Sequence, residues 1–205
     1  MYGIEMDYYN KGVNYIACVD EVGRGCLFGD VVSCAVVMPR DSGIEKVMDS
    51  KKLSAKRREE LSDLILSEAI AVGIGRVDSK LIDEINIKQA TILSMKKALS
   101  VLSTRNGDLL LPELILVDAE KFEFENVPVI SIIKGDEKSY GIAAASIVAK
   151  VHRDSLCQDW DEYYPEYKIG KNKGYGTKEH VEAIKLNGPS EMHRKSFLTK
   201  IGGRI

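Results

Sequence analysis

Asp20 and Glu21 close the apolar run Tyr15-Ile16-Ala17-Cys18-Val19, Asp118 closes Leu114-Ile115-Leu116-Val117, and Asp136 follows Val129-Ile130-Ser131-Ile132-Ile133 by way of Lys134-Gly135. Apolar runs this short read as buried strands, and in an open α/β sheet ligands bind beyond the carboxyl ends of the strands. Carboxylates gathered there repel one another and resist ionising until a cation neutralises them. The pattern therefore implies divalent metal held by oxygen ligands.

Taken singly, each acid has a plainer explanation. An Asp-Glu pair at a strand end is usually solvated, and Asp136 is placed to cap the helix that follows, the role composition alone favours. Asp20 and Glu21 are adjacent, so on a regular strand they point to opposite faces. They converge only if the chain bends, and the Gly23-Arg24-Gly25 turn supplies a means. Gly23 and Gly25 also leave backbone N–H groups open to a sugar hydroxyl or phosphate, with Arg24 adding charge; a simple glycine turn between strands is the alternative. Asp154 lies at i+3 from Val151 and i+7 from Ile147, which makes it a rival fourth carboxylate or a salt-bridge partner.

A second group of residues suits a polyanion. Lys171-Asn172-Lys173-Gly174-Tyr175-Gly176-Thr177-Lys178 interleaves cations with one aromatic ring, a combination for phosphate contact and stacking, or else a solvated lysine loop. Residues 166–205 carry a balance of +5 against −7 for residues 1–165, although the whole chain is only −2. Trp160, Tyr163, Tyr164 and Tyr167 read as packing residues. His180 and His193 lack metal-ligand spacing and receive no catalytic role.

Positioning these groups requires a sheet. The run 16–20, a glycine-containing turn, and Val31–Val37 suggest an antiparallel pair, and Val72–Val77 a third strand. Ser54 is placed to cap a helix with Leu61, Leu64, Ile65 and Ala69 on its apolar face; another helix spans Asn86 to about Leu102, with Ile92, Met95, Leu99 and Leu102 on one side. Strands at 114–117 and 129–133, a helix from about Tyr140 to Trp160, a loop at 170–178 and a helix at Lys178–Leu186 complete the order. The expectation is a mixed five-stranded sheet with helices packed against it.

At 205 residues and 44% apolar content, the chain can bury a full core as one domain. Its N-terminus lacks a basic segment leading into an apolar one, and no uncharged apolar run approaches the roughly 18 residues needed to span a bilayer. Cys18, Cys26, Cys34 and Cys157 are too scattered for a zinc site and read as reduced thiols of a cytoplasmic protein.

Seven motifs, in order, then resemble bacterial ribonuclease HII: Asp20-Glu21-Val22-Gly23-Arg24-Gly25, Asp49-Ser50-Lys51-Lys52-Leu53-Ser54, Val117-Asp118, Lys134-Gly135-Asp136, Ala143 to Val151, Lys173-Gly174-Tyr175-Gly176-Thr177 and His193-Arg194-Lys195-Ser196-Phe197. The resemblance implies a ribonuclease H-like fold with a small C-terminal helical, substrate-binding part at about 166–205. It implies an endonuclease that cuts the RNA strand of RNA–DNA hybrids and cuts beside single ribonucleotides in duplex DNA. By it, Asp20, Glu21, Asp118 and Asp136 form the catalytic metal site, overturning the cap reading of Asp136, with Asp154 held in reserve. Gly23, Arg24 and Gly25 would read the ribose 2′-hydroxyl and Tyr175 would pack on the neighbouring deoxyribose; Lys51, Lys173 and Arg194 are expected at phosphates. Mg²⁺ fits such an oxygen site and Mn²⁺ should substitute.

The chain departs from many relatives, which carry Pro-Leu-Ala-Gly-Pro where Cys26-Leu27-Phe28-Gly29-Asp30 stands, and glycine where Ala119 stands. Rival readings are ribonuclease HIII, whose added N-terminal domain has no room in the 19 residues before Asp20, a junction resolvase blind to ribose, and a binding module with a dead site. A monomer is expected, and the tail Ser196–Ile205 shows no clear clamp-binding motif.

Overall fold

The computed structural model describes residues 3–48 and 53–199. Its strands are β1 (Ile16–Val22), β2 (Val31–Val37), β3 (Ala71–Val77), β4 (Ser103–Thr104), β5 (Leu114–Asp118) and β6 (Val129–Ile132). They form one sheet in the order β4-β3-β2-β1-β5-β6. β1 pairs antiparallel with β2 and parallel with β5, and β5 pairs parallel with β6, so the sheet is mixed. The expected five strands become six because β4 adds two residues along the edge of β3. Ser103 and Thr104 carry no apolar run, so nothing in their sequence marks a strand.

Alternation along the strands explains both cores. Ile16, Cys18, Leu114 and Leu116 face one side with Cys34 and Val36, against Ile142 to Ala145 of α5 (Tyr140–Tyr163) and Leu61 and Ile65 of α2 (Ala55–Glu68). Ala17, Val19, Ala35, Val37, Ile115 and Val117 face the other, against Met95, Ala98, Leu99 and Leu102 in and just after α3 (Ser79–Ser100). Strands covered on both faces must be apolar throughout, which is why their sequences read as unbroken runs.

Two helices differ from expectation. α3 begins at Ser79 but breaks at Asn86, where φ is 66°. The Asn86 Oδ1 accepts the amides of Lys88 and Gln89 at 3.0 and 3.2 Å, so the predicted start at Asn86 is the cap of a second helical segment. On α2, Ser54 caps as predicted by accepting from the Arg57 amide, but Leu64 is 44% exposed and Leu61 and Ile65 make the buried contact.

The remaining helices are α1 (Glu5–Tyr9), α4 (Gly135–Lys138), α6 (Ile169–Asn172), α7 (Lys178–Asn187) and α8 (Lys195–Leu198). α1 is tied down by Glu5, which is buried and accepts from Ser139 Oγ at 2.6 Å and from the Gly141 amide at 2.7 Å, completing the cap of α5. Phe28, Cys157, Tyr167, Ile169, Val181 and Ile184 build a separate apolar cluster under the C-terminal part. Among the described residues, no helix is long and apolar enough to cross a membrane. The motif residues Asp49 to Lys52, Lys51 included, lie outside the described residues.

Candidate active site

Register brings the acids together. Val19 pairs with Val117, so Asp118, the last residue of β5, stands level with Asp20 at the carboxyl end of two parallel central strands. α4 follows β6 beside them, and the Gly135 amide donates to Asp118 Oδ1 at 2.7 Å. The approach is close: a Cβ at Gly135 would press on the terminal methyl of Ile142 and lie 3.2 Å from the Asp118 carboxylate. Asp136 therefore begins one residue from a direct ligand of Asp118.

β1 does not bend between Asp20 and Glu21, as the sequence led us to expect; its ladder with β2 runs regularly through both to Val22. Asp20 faces Ser146 of α5, which hydrogen-bonds it, and Asp20 Oδ1 accepts the Glu21 amide at 2.8 Å. Glu21 turns the other way, to Arg24 Nη1 at 3.3 Å. The carboxylates meet because both stand at the rim of the sheet, where side chains reach past its edge. Beyond Val22 the chain does turn: Gly23 has φ 92°, and a Cβ there would collide with the Arg153 guanidinium.

Burial pushes the Asp20 carboxyl well above the usual carboxylate range, and the charges of Glu21 and Asp118 push it further. Glu21 is also raised, by burial first, with Arg24 pulling it back and Asp118 and Glu120 adding to the rise. Glu21 Oε2 is buried with no hydrogen-bond partner. Mutually repelling, partly desolvated carboxylate oxygens with an unsatisfied acceptor are a donor set suited to a hard divalent cation. Among the described residues, no three acidic, histidine or cysteine side chains already close around one point, so the chemistry of the donors fits a metal while a coordination shell is not preformed.

Glu120 is a site residue the sequence reading missed. Ala119 adopts the left-handed φ of 51°, a conformation that costs a non-glycine residue about 1 kcal/mol. The turn brings buried Glu120 back to Arg24 Nη1 at 2.7 Å. Arg24 is thus clamped between Glu21 and Glu120. The available signal was a second acid two residues beyond the strand end.

A cleft of about 340 Å³ adjoins these groups, lined by Glu21, Arg58, Ser146, Ile147, Lys150 and Tyr175. Tyr175 is 41% exposed, with its hydroxyl against the Cys26 thiol. A larger recess of about 500 Å³ between residues 39–45 and α2 holds none of the expected site residues. Asp154 is bound by Lys150 at 2.7 Å, in keeping with its salt-bridge reading. Lys168 and Lys171 are both taken up by Glu179, at 2.7 and 2.8 Å, whereas Lys173 borders a neighbouring cavity.

Arg194 corrects an expectation. It is fully buried, so instead of meeting phosphate it donates to the Gly29 carbonyl at 2.9 Å and to the Arg24 carbonyl at 3.0 Å. Arg153, equally buried, donates to the carbonyls of Asp30 (3.0 Å), Lys173 (2.8 Å) and Phe28 (3.1 Å). Together they staple the 24–30 loop to Lys173. The unusual residues of that loop are accommodated: Phe28 is buried with its ring 4.9 Å from that of His193, and Asp30 is paired with Arg76 at 2.8 Å.

Comparison with known proteins adds three findings. The family model described as Ribonuclease HII matches residues 17–200. The chain is 57% identical over 198 residues to the ribonuclease HII of Alkaliphilus oremlandii, covering 97% of each, and 51% identical to that of Bacillus subtilis, covering 92% of this chain and 71% of that one. In structure it is similar to the ribonuclease H2 of Pyrococcus horikoshii OT3 (TM-score 0.74, 26% identity, covering 93% of this chain and 98% of that one), and to the ribonuclease HII of Archaeoglobus fulgidus solved in complex with PCNA (TM-score 0.68, 27% identity, 90% and 94%).

Proposed function

The chain belongs to the ribonuclease HII family and is a nuclease acting on RNA–DNA hybrids; we propose that it also cuts duplex DNA on the 5′ side of a single embedded ribonucleotide. One observation carries the reading: Glu21, at the acidic rim and paired with Arg24 of the glycine turn, lines the same cleft as Tyr175. The groups suited to phosphodiester hydrolysis, to reading a ribose and to packing on the next sugar thus share one surface.

Asp20, Glu21, Asp118 and Asp136 would hold Mg²⁺ or Mn²⁺. When bound, such ions activate the attacking water and stabilise the leaving 3′-oxygen, giving 5′-phosphate and 3′-hydroxyl ends. The Gly23-Arg24-Gly25 turn, exposed at Gly25, would contact the 2′-hydroxyl, the group that separates RNA from DNA. Arg24 stays fixed between Glu21 and Glu120, so the turn meets the sugar without first being ordered. Tyr175 packs on the deoxyribose to the 3′ side, and Lys173 and Lys51 draw in phosphates. The enzyme works in the cytoplasm, in keeping with four unbridged, buried cysteines.

The test is cleavage of a labelled duplex carrying one ribonucleotide, with Mg²⁺, with Mn²⁺ and with chelator, beside an all-DNA duplex. Metal-dependent cutting 5′ to the ribonucleotide alone is expected. Equal cutting of the all-DNA duplex, or binding without cutting, would sink the proposal.

A further inference from the structure

His180 and His193 were given no role by the sequence, yet both are buried and their Nε2 atoms lie 3.1 Å apart. The groups at the two ends decide the protons. The Ser190 amide donates to His193 Nδ1 at 2.9 Å, so that nitrogen is bare and the His193 proton sits on Nε2. His193 Nε2–H therefore donates to His180 Nε2. His180 in turn carries its proton on Nδ1 and donates it to the Tyr175 carbonyl, 2.9 Å away. Every nitrogen of the two neutral rings is used, in one direction. Charging either ring would set two donors face to face.

The path continues from His193 to the ribose-reading turn. Residue 193 bridges Phe28, the Arg194 amide donates to the Leu27 carbonyl at 2.8 Å, and the Gly29 amide donates to the Met192 carbonyl at 2.9 Å. Arg194 then reaches the Arg24 carbonyl. Phe28 and Tyr167 pack against both imidazoles and seal them from water. A continuous hydrogen-bonded route thus joins Arg24, on one sensing loop, to the main chain of Tyr175 on the other.

We propose that the His180–His193 pair is a positioning device that fixes Tyr175 relative to the Gly23–Gly25 turn, and so sets the enzyme's preference for a ribonucleotide followed by a deoxyribonucleotide. The two sensors address neighbouring sugars, so their separation must match one nucleotide step. A small displacement of Tyr175 weakens contact with the second sugar and leaves the acids untouched. Neither histidine touches substrate. The inference rests on the role given to Tyr175 under the proposed function.

The experiment compares kcat and KM on two substrates, a duplex with one ribonucleotide followed by DNA and a uniform RNA–DNA hybrid, for wild type, His180→Asn and His180→Leu. Asparagine can still donate to the Tyr175 carbonyl; leucine cannot. His180→Leu should raise KM on the junction substrate about tenfold, the effect of one lost hydrogen bond, with kcat on the uniform hybrid within about twofold of wild type. His180→Asn should restore most of the preference. His193→Gln against His193→Leu reads the same contrast if His180→Leu does not fold. Equal losses on both substrates, or no rescue by the hydrogen-bonding variants, would show packing alone and overturn the proposal. A wild type that treats the two substrates alike overturns the role of Tyr175 itself. A wild type that prefers the junction, with variants that prefer it equally, overturns only the histidine pair.

Discussion

The acidic rim and the sensing loops beside it are built on opposite principles. At the rim, Asp20, Glu21 and Asp118 repel one another and one buried carboxylate oxygen has no partner. In the loops, two buried arginines and two buried histidines direct most of their donors to main-chain carbonyls and to each other, with Arg194 Nη2 the one guanidinium nitrogen left without a partner among the described residues. The rim concentrates repelling negative charge, whereas the loops are cross-linked by hydrogen bonds to main-chain carbonyls and hold a shape. Chemistry and recognition thus call for different local energetics within one cleft.

The largest test of this contrast is Asp118→Asn. It should lower kcat on the order of 10³-fold or more while changing duplex affinity by less than about threefold, because under the proposed function it removes a metal-holding oxygen and no sensing contact. Near-normal turnover would remove Asp118 from the mechanism. Next in size, Arg153→Met removes the guanidinium from the carbonyls of Phe28, Asp30 and Lys173, the last of which keeps the Cys26 thiol as a donor. A loss of about 3 kcal/mol or more is expected from urea unfolding, and a loss below about 1 would mean that the loops are not held by this side chain.

Acid titration separates the regions by sign. His193 is held down to about 4 by burial and by His180, below its ordinary 6.5. The unfolded chain takes up that proton first, so this contribution to stability is present above about pH 6.5 and is lost as pH falls toward 4. Asp20 is displaced upward, so the metal-free folded protein takes up its proton first and is stabilised as pH falls through the raised value. Urea unfolding across this range should therefore show partial cancellation. Asp20→Asn should make the acid decline steeper, by up to about 1.4 kcal/mol per pH unit. An unchanged slope would mean that Asp20 is not displaced. The smallest expected effect is that of Glu179→Gln, which frees Lys168 and Lys171; duplex binding should tighten at low salt, and the slope of log affinity against log salt should steepen by about 1.

Much of this was legible in the chain. β2 fell on its expected residues and β5 ends at Asp118 as expected, because strands covered on both faces must be apolar, whereas β1 runs two residues past its expected end at Asp20, held by its ladder with β2 through Glu21 to Val22. What escaped depended on partners distant in sequence. Arg194 reads as a surface cation until the carbonyls of Arg24 and Gly29 are placed around it. Glu120 has no evident role until Ala119 turns it back toward Arg24, and two histidines thirteen positions apart give no hint that their rings meet. Leu64 fits the helical period and still faces water, because only part of that face of α2 is covered.

Arg153 and Arg194 have one more consequence. Among the described residues neither forms a salt bridge with a carboxylate, and Arg194, lowered to about 10 by burial, still carries its charge at neutral pH. Two buried guanidinium groups therefore sit beneath the loops to which the proposed function assigns the nucleic acid, inside a medium that dissolved ions do not enter. Their field is screened far less by salt than that of the surface lysines. Approach through solvent stays salt-dependent, but once a strand is seated on the loops with water excluded, the attraction of these two charges should slow its release at ionic strengths that silence the outer lysines.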